Sequence, residues 1–142
     1  MSFLLDTNVV SELVKPGPDE NVVGWLEEAD EDELYLSVMT FAELRHGVEA
    51  LGEGRRREAL TRWISEDLSE RFEGRIIAVE RTVAEAWGAM MGRSERRGRA
   101  LGTMDGLFAA TAMAHGMSLV TRNTRHFERL GIELVNPWMT RS

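Results

Sequence analysis

Four side chains in this sequence could do chemistry together: Asp6, Glu43, Asp105 and Asn123. Three carboxylates drawn within a few ångströms of one another repel, which raises one or more of their pKa values unless a cation neutralises them. Hard oxygen ligands without His or Cys suit Mg²⁺ or Mn²⁺ rather than zinc, so the candidate metal ligands are Asp6, Glu43 and Asp105. Asn123 would add a carbonyl oxygen able to ligate the ion or position a bound water. An ion held this way acidifies one of its waters and grips a phosphate oxygen, which is the chemistry of phosphodiester hydrolysis.

Each of the four also has a purely local use. Asp6 caps a helix that starts at Thr7 or Asn8. Glu43 completes a capping box with Thr40. Asp105, two residues after Thr103, favours a helix dipole. Asn123 is placed to be the N-cap of a last short helix. Local capping would be equally served by Ser or Thr at every site, and does not account for all four falling at strand ends or helix starts.

The elements that must position them follow from periodicity. Phe3-Leu4-Leu5 reads as a short strand buried on both faces that stops at Asp6. A short helix over Val9, Val10, Leu13 and Val14 is broken at Lys15-Pro16-Gly17-Pro18, and Asp19 caps a second helix with Val22, Trp25, Leu26 and Ala29 on one face. A strand over 34–38 leads to a helix opening at Thr40-Phe41-Ala42-Glu43, and residues 55–72 form another helix. A strand over 75–79, a helix over 82–91, an arginine-rich stretch over 92–102 that holds the helix's end and the connection, a small-residue helix over 103–116 and a strand over 118–121 follow. A short helix over 124–130 and a strand over 132–135 complete the order. Strands alternating with helices specify an α/β fold, with a parallel sheet of four to five strands covered on both faces. Ligands bind such sheets outside the carboxyl ends of the strands, the rim to which the four polar residues are assigned.

Length and composition agree with one folded domain, residues 1–142. The apolar runs fall short of the ~18 residues that cross a bilayer. The amino terminus lacks a basic region, and Asp6 interrupts its apolar stretch, so neither a membrane span nor a signal peptide is expected. The chain has no cysteine, which excludes disulfides and fits a cytoplasmic location. The net charge of −7 excludes a broad basic surface for duplex nucleic acid. Two arginine clusters stand out, Arg55 to Arg57 and Arg93, Arg96, Arg97 and Arg99, each able to touch RNA phosphates or to pair with neighbouring glutamates.

Leu4-Leu5-Asp6-Thr7-Asn8, Phe41-Ala42-Glu43-Leu44-Arg45-His46-Gly47, Met104-Asp105-Gly106-Leu107-Phe108-Ala109-Ala110-Thr111-Ala112 and Val120-Thr121-Arg122-Asn123-Thr124-Arg125-His126-Phe127 resemble the successive signatures of the PIN domain. The likeness is greatest to the VapC and FitB toxins of bacterial toxin–antitoxin pairs, and runs from Leu4 to Trp138. The resemblance implies a three-layer α/β/α sandwich and a Mg²⁺- or Mn²⁺-dependent ribonuclease. It further implies a homodimer and a cognate VapB-type antitoxin whose tail blocks the acidic pocket, commonly with an arginine. The family's metal ligands and catalytic acids carry over to Asp6, Glu43 and Asp105, with Thr7 and Asn8 supporting the first.

The sequence departs from the family in its fourth motif, where an Asp often stands at the place of Asn123 or of His126. Asn123 is kept as a member of the catalytic set, with looser binding of a second ion expected. The departure keeps open a catalytically weak or inactive PIN fold that binds RNA or a protein partner. His126 is read as an exposed histidine, His46 as a packing or RNA-contacting residue, and His115 as a partner of a helix carboxyl end. Trp25, Trp63, Trp87 and Trp138 read as core or subunit contacts before base-stacking surfaces. A phosphoacceptor receiver would want an acidic pair after the first strand and a lysine near the last, and Lys15 is the only lysine. A dehalogenase-like phosphatase would want Asp at position 8, which is Asn.

Overall fold

The structure is a computed structural model that describes residues 1–139; positions 140–142, the end of the expected 1–142 domain, lie outside the described residues. Five strands, β1 (Phe3–Leu5), β2 (Leu34–Ser37), β3 (Ile76–Ile77), β4 (Ser118–Val120) and β5 (Leu134–Val135), form one sheet in the order β3-β2-β1-β4-β5. Every pairing is parallel, with Leu4 opposite Tyr35 on one side and Leu119 on the other. The helices are α1 (Thr7–Glu12), α2 (Glu20–Glu28), α3 (Val38–Glu49), α4 (Arg55–Arg62), α5 (Ser69–Arg71), α6 (Arg81–Arg96) and α7 (Thr103–His115).

Adjacent strand residues point to opposite faces, and the two buried leucines of β1 accordingly serve two cores. Leu5 packs with Val9, Val10, Trp25, Leu36 and Phe72, while Leu4 packs with Met90, Phe108, Ala109, Leu119 and Phe127. Each fully buried leucine contributes about 1.5–3 kcal/mol. The result is the expected three-layer α/β/α sandwich, with β1 at its centre. The chain builds outward from β1 through β2 to β3, then crosses to β4 on the other side. The direction of winding thus changes between β1 and β4, where a parallel sheet opens its ligand crevice.

Several boundaries differ from the sequence expectation. The helix after β2 begins at Val38, with the Ser37 hydroxyl accepting from Met39 N at 3.0 Å. Thr40 therefore lies inside α3, fully buried, and the expected Thr40–Glu43 capping box does not form. The helix expected over 55–72 is α4 continued through a π-helical stretch, Trp63–Leu68, into α5. The helix expected over 82–91, with its end within 92–102, runs to Arg96, because buried Met90 and Ser94 carry its inner face past the exposed Gly92. It ends in a Schellman turn, with Gly98 at φ 67°, Gly98 N donating to Glu95 O and Arg99 N donating to Ser94 O. The expected last helix is a single 3₁₀ turn, Thr124–Phe127, and β3 and β5 are two residues each.

Candidate active site

Asp6 leaves β1 at the winding switch, its own N–H donating to Val120 O of β4 at 2.9 Å. Its carboxylate caps α1 by accepting from Thr7 N at 2.7 Å, so the capping role is real. It also accepts from the Thr121 hydroxyl at 2.7 Å and from Asn8 Nδ2 at 3.3 Å. The side chain is almost wholly buried. Burial pushes its pKa up, Thr121 and Thr7 partly oppose this by hydrogen bonding, and the charges of Glu43 and Asp105 push it further up.

Glu43 stands in the second turn of α3 rather than the first, and caps nothing. Its Oε1 accepts from the Thr7 hydroxyl at 2.6 Å, and the Thr40 hydroxyl lies 3.3 Å from that of Thr7. Asp105 occupies the third position of α7, with its Oδ2 3.0 Å from His126 Nδ1. Asn123 precedes the 3₁₀ turn without a side-chain cap, held by its N–H donating to the Thr121 hydroxyl at 3.1 Å.

All four residues line one open cavity of ≈ 360 Å³. The structure thus brings together every candidate site residue. Lys15 and Arg122 line the same cavity without having been singled out as site residues, and Trp138, expected as a core or subunit contact, lines it too. Arg122 lies over the Trp138 ring, 5.3 Å from its centroid. His46 and His115 are exposed and line no part of the cavity. His126 is exposed as expected, yet touches Asp105, a contact across 21 residues that local pattern does not reveal.

Glu12 was also missed. It is 4% exposed, pairs with Lys15 Nζ at 2.9 Å, and accepts from Asp19 N at 2.8 Å, closing the Pro16-Gly17-Pro18 loop over the end of α1. The Lys15 and Asp19 contacts hold its carboxyl below the ordinary carboxylate range. A depressed folded-state pKa gives stability that is present above the unfolded value and lost as pH falls through the folded one. Glu12→Ala is therefore expected to lower stability by about 1–2 kcal/mol at neutral pH. The difference from wild type should shrink in acid, as urea titrations at neutral and acidic pH would reveal.

Comparison with known proteins places this architecture. The family model described as the PIN domain matches residues 3–133. The chain belongs to the PIN-domain family. Among similar proteins, the VapC ribonuclease Y4jK of Sinorhizobium fredii is 37% identical over 136 residues, covering 96% of this chain and 97% of the relative. Toxin FitB of Neisseria gonorrhoeae is 36% identical, covering 96% and 98%. A chain in the structure of FitAB bound to the IR36 DNA fragment superposes with a TM-score of 0.91 at 35% identity, covering 99% of this chain and 98% of that one. In this PIN domain the acids lie at the carboxyl rim of the sheet, and no helix among the described residues is long and apolar enough to cross a membrane.

The donor set fits a hard divalent cation: its candidates are oxygen ligands, and the pKa of Asp6 is raised mainly by burial and further by the charges of Glu43 and Asp105. Among the described residues no group of three His, Cys, Asp or Glu side chains is gathered tightly enough to hold an ion by itself. A hard cation that keeps several of its waters needs only one or two carboxylates directly.

Proposed function

We propose that this PIN domain is a Mg²⁺- or Mn²⁺-dependent endoribonuclease and the toxin of a VapBC-type pair, acting in the cytoplasm. The observation that carries this reading is the convergence of Asp6, Glu43 and Asp105 on one cavity, with their charges felt at Asp6. Asp6, Glu43 and Asp105, with water completing the set, would hold the ion, which would supply an acidified water and positive charge for the phosphate. Thr121 and Thr7 orient Asp6, and Thr7 also orients Glu43, so the ligand oxygens are set before substrate arrives. Lys15 and Arg122 face the same cavity and bind the phosphate oxygens of the RNA strand. Asn123 positions a water through its carboxamide oxygen.

The reading as a non-catalytic module is not favoured, since the change to Asn123 leaves three acids and an oxygen donor in the cavity. The cognate antitoxin is a protein segment that combines apolar side chains with an arginine. Beside the acidic cavity lies a cleft of ≈ 590 Å³ lined by Val14, Leu44, Leu51, Leu60 and Trp63, and the two share Thr7, Ser11, Lys15 and Glu43. A segment seated there carries its arginine onto the acids. The toxin acts as a homodimer.

The test is incubation of the purified chain with mixed cellular RNA. Cleavage with Mg²⁺ or Mn²⁺ and none with a chelator is expected. Cleavage that survives the chelator would refute the metal-dependent reading, and absence of cleavage with either ion would favour the binding module.

A further inference from the structure

Arg93 and Arg97 of α6 and its cap, Arg99 of the following turn, and Arg129 from beyond β4 surround a cavity of ≈ 70 Å³. Met90, Ser94 and Leu130 complete its lining, so no carboxylate does. None of the four guanidinium groups makes a hydrogen bond or ion pair to another described residue. Elsewhere Arg45, Arg57, Arg71, Arg75 and Arg81 each pair with a glutamate. Four unpaired cations gathered in a chain of net charge −7 repel one another without an internal partner.

The dipole of α6 accounts for Arg93 and Arg97, which lie at its carboxyl end. It does not account for Arg99, which the Schellman turn folds back by bonding its N–H to Ser94 O at 2.9 Å, or for Arg129, which comes from another element. Arg129 is the one non-glycine residue at positive φ among those described, at 68°. Backbone in that conformation is held at a cost for a side chain. Arg129 also follows His126 by three residues, at most ~11 Å of chain. His126 touches Asp105, so the segment that carries Arg129 to its cavity starts beside the acidic one.

We infer that Arg93, Arg97, Arg99 and Arg129 form a second phosphate-binding subsite, which holds the RNA backbone a few nucleotides from the bond that is cut. The cavity suits a single phosphoryl group with its water rather than a base. The subsite reads no sequence, because guanidinium contacts to phosphate position a strand without specifying it. This inference rests on the ribonuclease reading, but its test does not depend on cleavage.

The test measures binding of a labelled single-stranded RNA by fluorescence anisotropy over a range of salt, with chelator present so that no strand is cut. Arg97→Gln with Arg99→Gln should weaken binding at low salt and make the slope of log affinity against log salt shallower by about 1.4, about 0.7 for each lost contact to a single strand. Arg97→Lys with Arg99→Lys should keep most of the slope. Arg129→Gly, which suits its backbone, should hold or raise the melting temperature while still weakening binding. Wild-type affinity and slope in the Gln pair would overturn the subsite and assign the cluster to protein carboxylates. Wild type that binds through the cluster but never cuts with Mg²⁺ or Mn²⁺ would support the subsite and overturn the ribonuclease reading alone.

Discussion

Asp6→Asn and Asp105→Asn are each expected to reduce metal-dependent RNA cleavage by at least about 10²–10³-fold, the loss typical when one charge-stabilising group leaves such a site. Their effects on stability should have opposite signs. The folded-state pKa of Asp6 is raised, mainly by burial. A group raised on folding binds its proton more tightly in the native state. It therefore contributes stability at low pH that is lost as pH climbs from the ordinary value through the folded one. At neutral pH ionised Asp6 is a net liability, and its neutral isostere removes that liability while still capping α1 through the oxygen facing Thr7 N. The isostere loses the long Asn8 contact, and the Thr121 hydroxyl turns to accept from the new amide. Asp6→Asn should thus melt above wild type without metal, and more so at neutral than at acid pH. Asp105 is half-buried, sits in the first turn of α7 and contacts His126, so its replacement forfeits about 0.3–1 kcal/mol of helix-dipole interaction. Added Mn²⁺ at roughly a hundredfold excess over its Kd should stabilise wild type by about 2.7 kcal/mol and leave Asp6→Asn almost unmoved. Calorimetry with and without metal decides the matter. If Asp6→Asn melts below wild type at neutral pH, the buried, ionised carboxylate is not the liability that its raised pKa implies.

This opposition of signs explains what was legible in the sequence. Acids at strand ends are visible because the apolar runs that locate the strands are local, and Asp6, Asp105 and Asn123 stand beside such boundaries. Capping and ligation call for the same residue types at the same places, so the sequence left them as alternatives. At Asp6 the capping carboxylate also lines the acidic cavity. At Glu43 the structure separates them, because Ser37 starts α3 a turn early and leaves Glu43 bonded only to Thr7. The sequence places the end of α6 only within residues 92–102, since the polar pattern there does not fix it and a glycine such as Gly92 lowers helix propensity by about 1 kcal/mol. Tertiary burial of Met90 and Ser94 on either side of it prevails. Glu12 was illegible for a related reason: its burial arises only when the Pro16-Gly17-Pro18 turn brings Asp19 N onto it. The pairing of His126 with Asp105, and of Arg129 with the end of α6, belongs to the tertiary fold and leaves no trace in local periodicity.

The packing of α6 against α7 makes Gly106→Ala the most informative change outside the pocket. In the interior of an exposed helix such a change stabilises by roughly 0.5–1 kcal/mol. Here a Cβ would lie 2.9 Å from Met91 Sδ and 3.0 and 3.1 Å from Trp87 Nε1 and Cδ1. The methionine can swing aside, being unbranched. The indole is less free, because its Nε1 donates to Thr103 O at 3.3 Å. Either that hydrogen bond yields or α7 tips away from α6 at its first turn. Overpacking costs about 1–3 kcal/mol, exceeding the gain in helix propensity, so the melting temperature is expected to fall by roughly 3–8 °C. Asp105 immediately precedes Gly106, and tipping the first turn of α7 moves its carboxylate with it. A displacement of about 1 Å at a reacting centre can lower the rate by as much as ~10². Cleavage should therefore fall by about ten- to a hundredfold, far more than the loss of folded protein explains. Met91→Ala in the same chain removes the closest contact and should return part of both. A rise in melting temperature for Gly106→Ala would mean that α6 and α7 tolerate the methyl, and that the close approach is not what places Asp105.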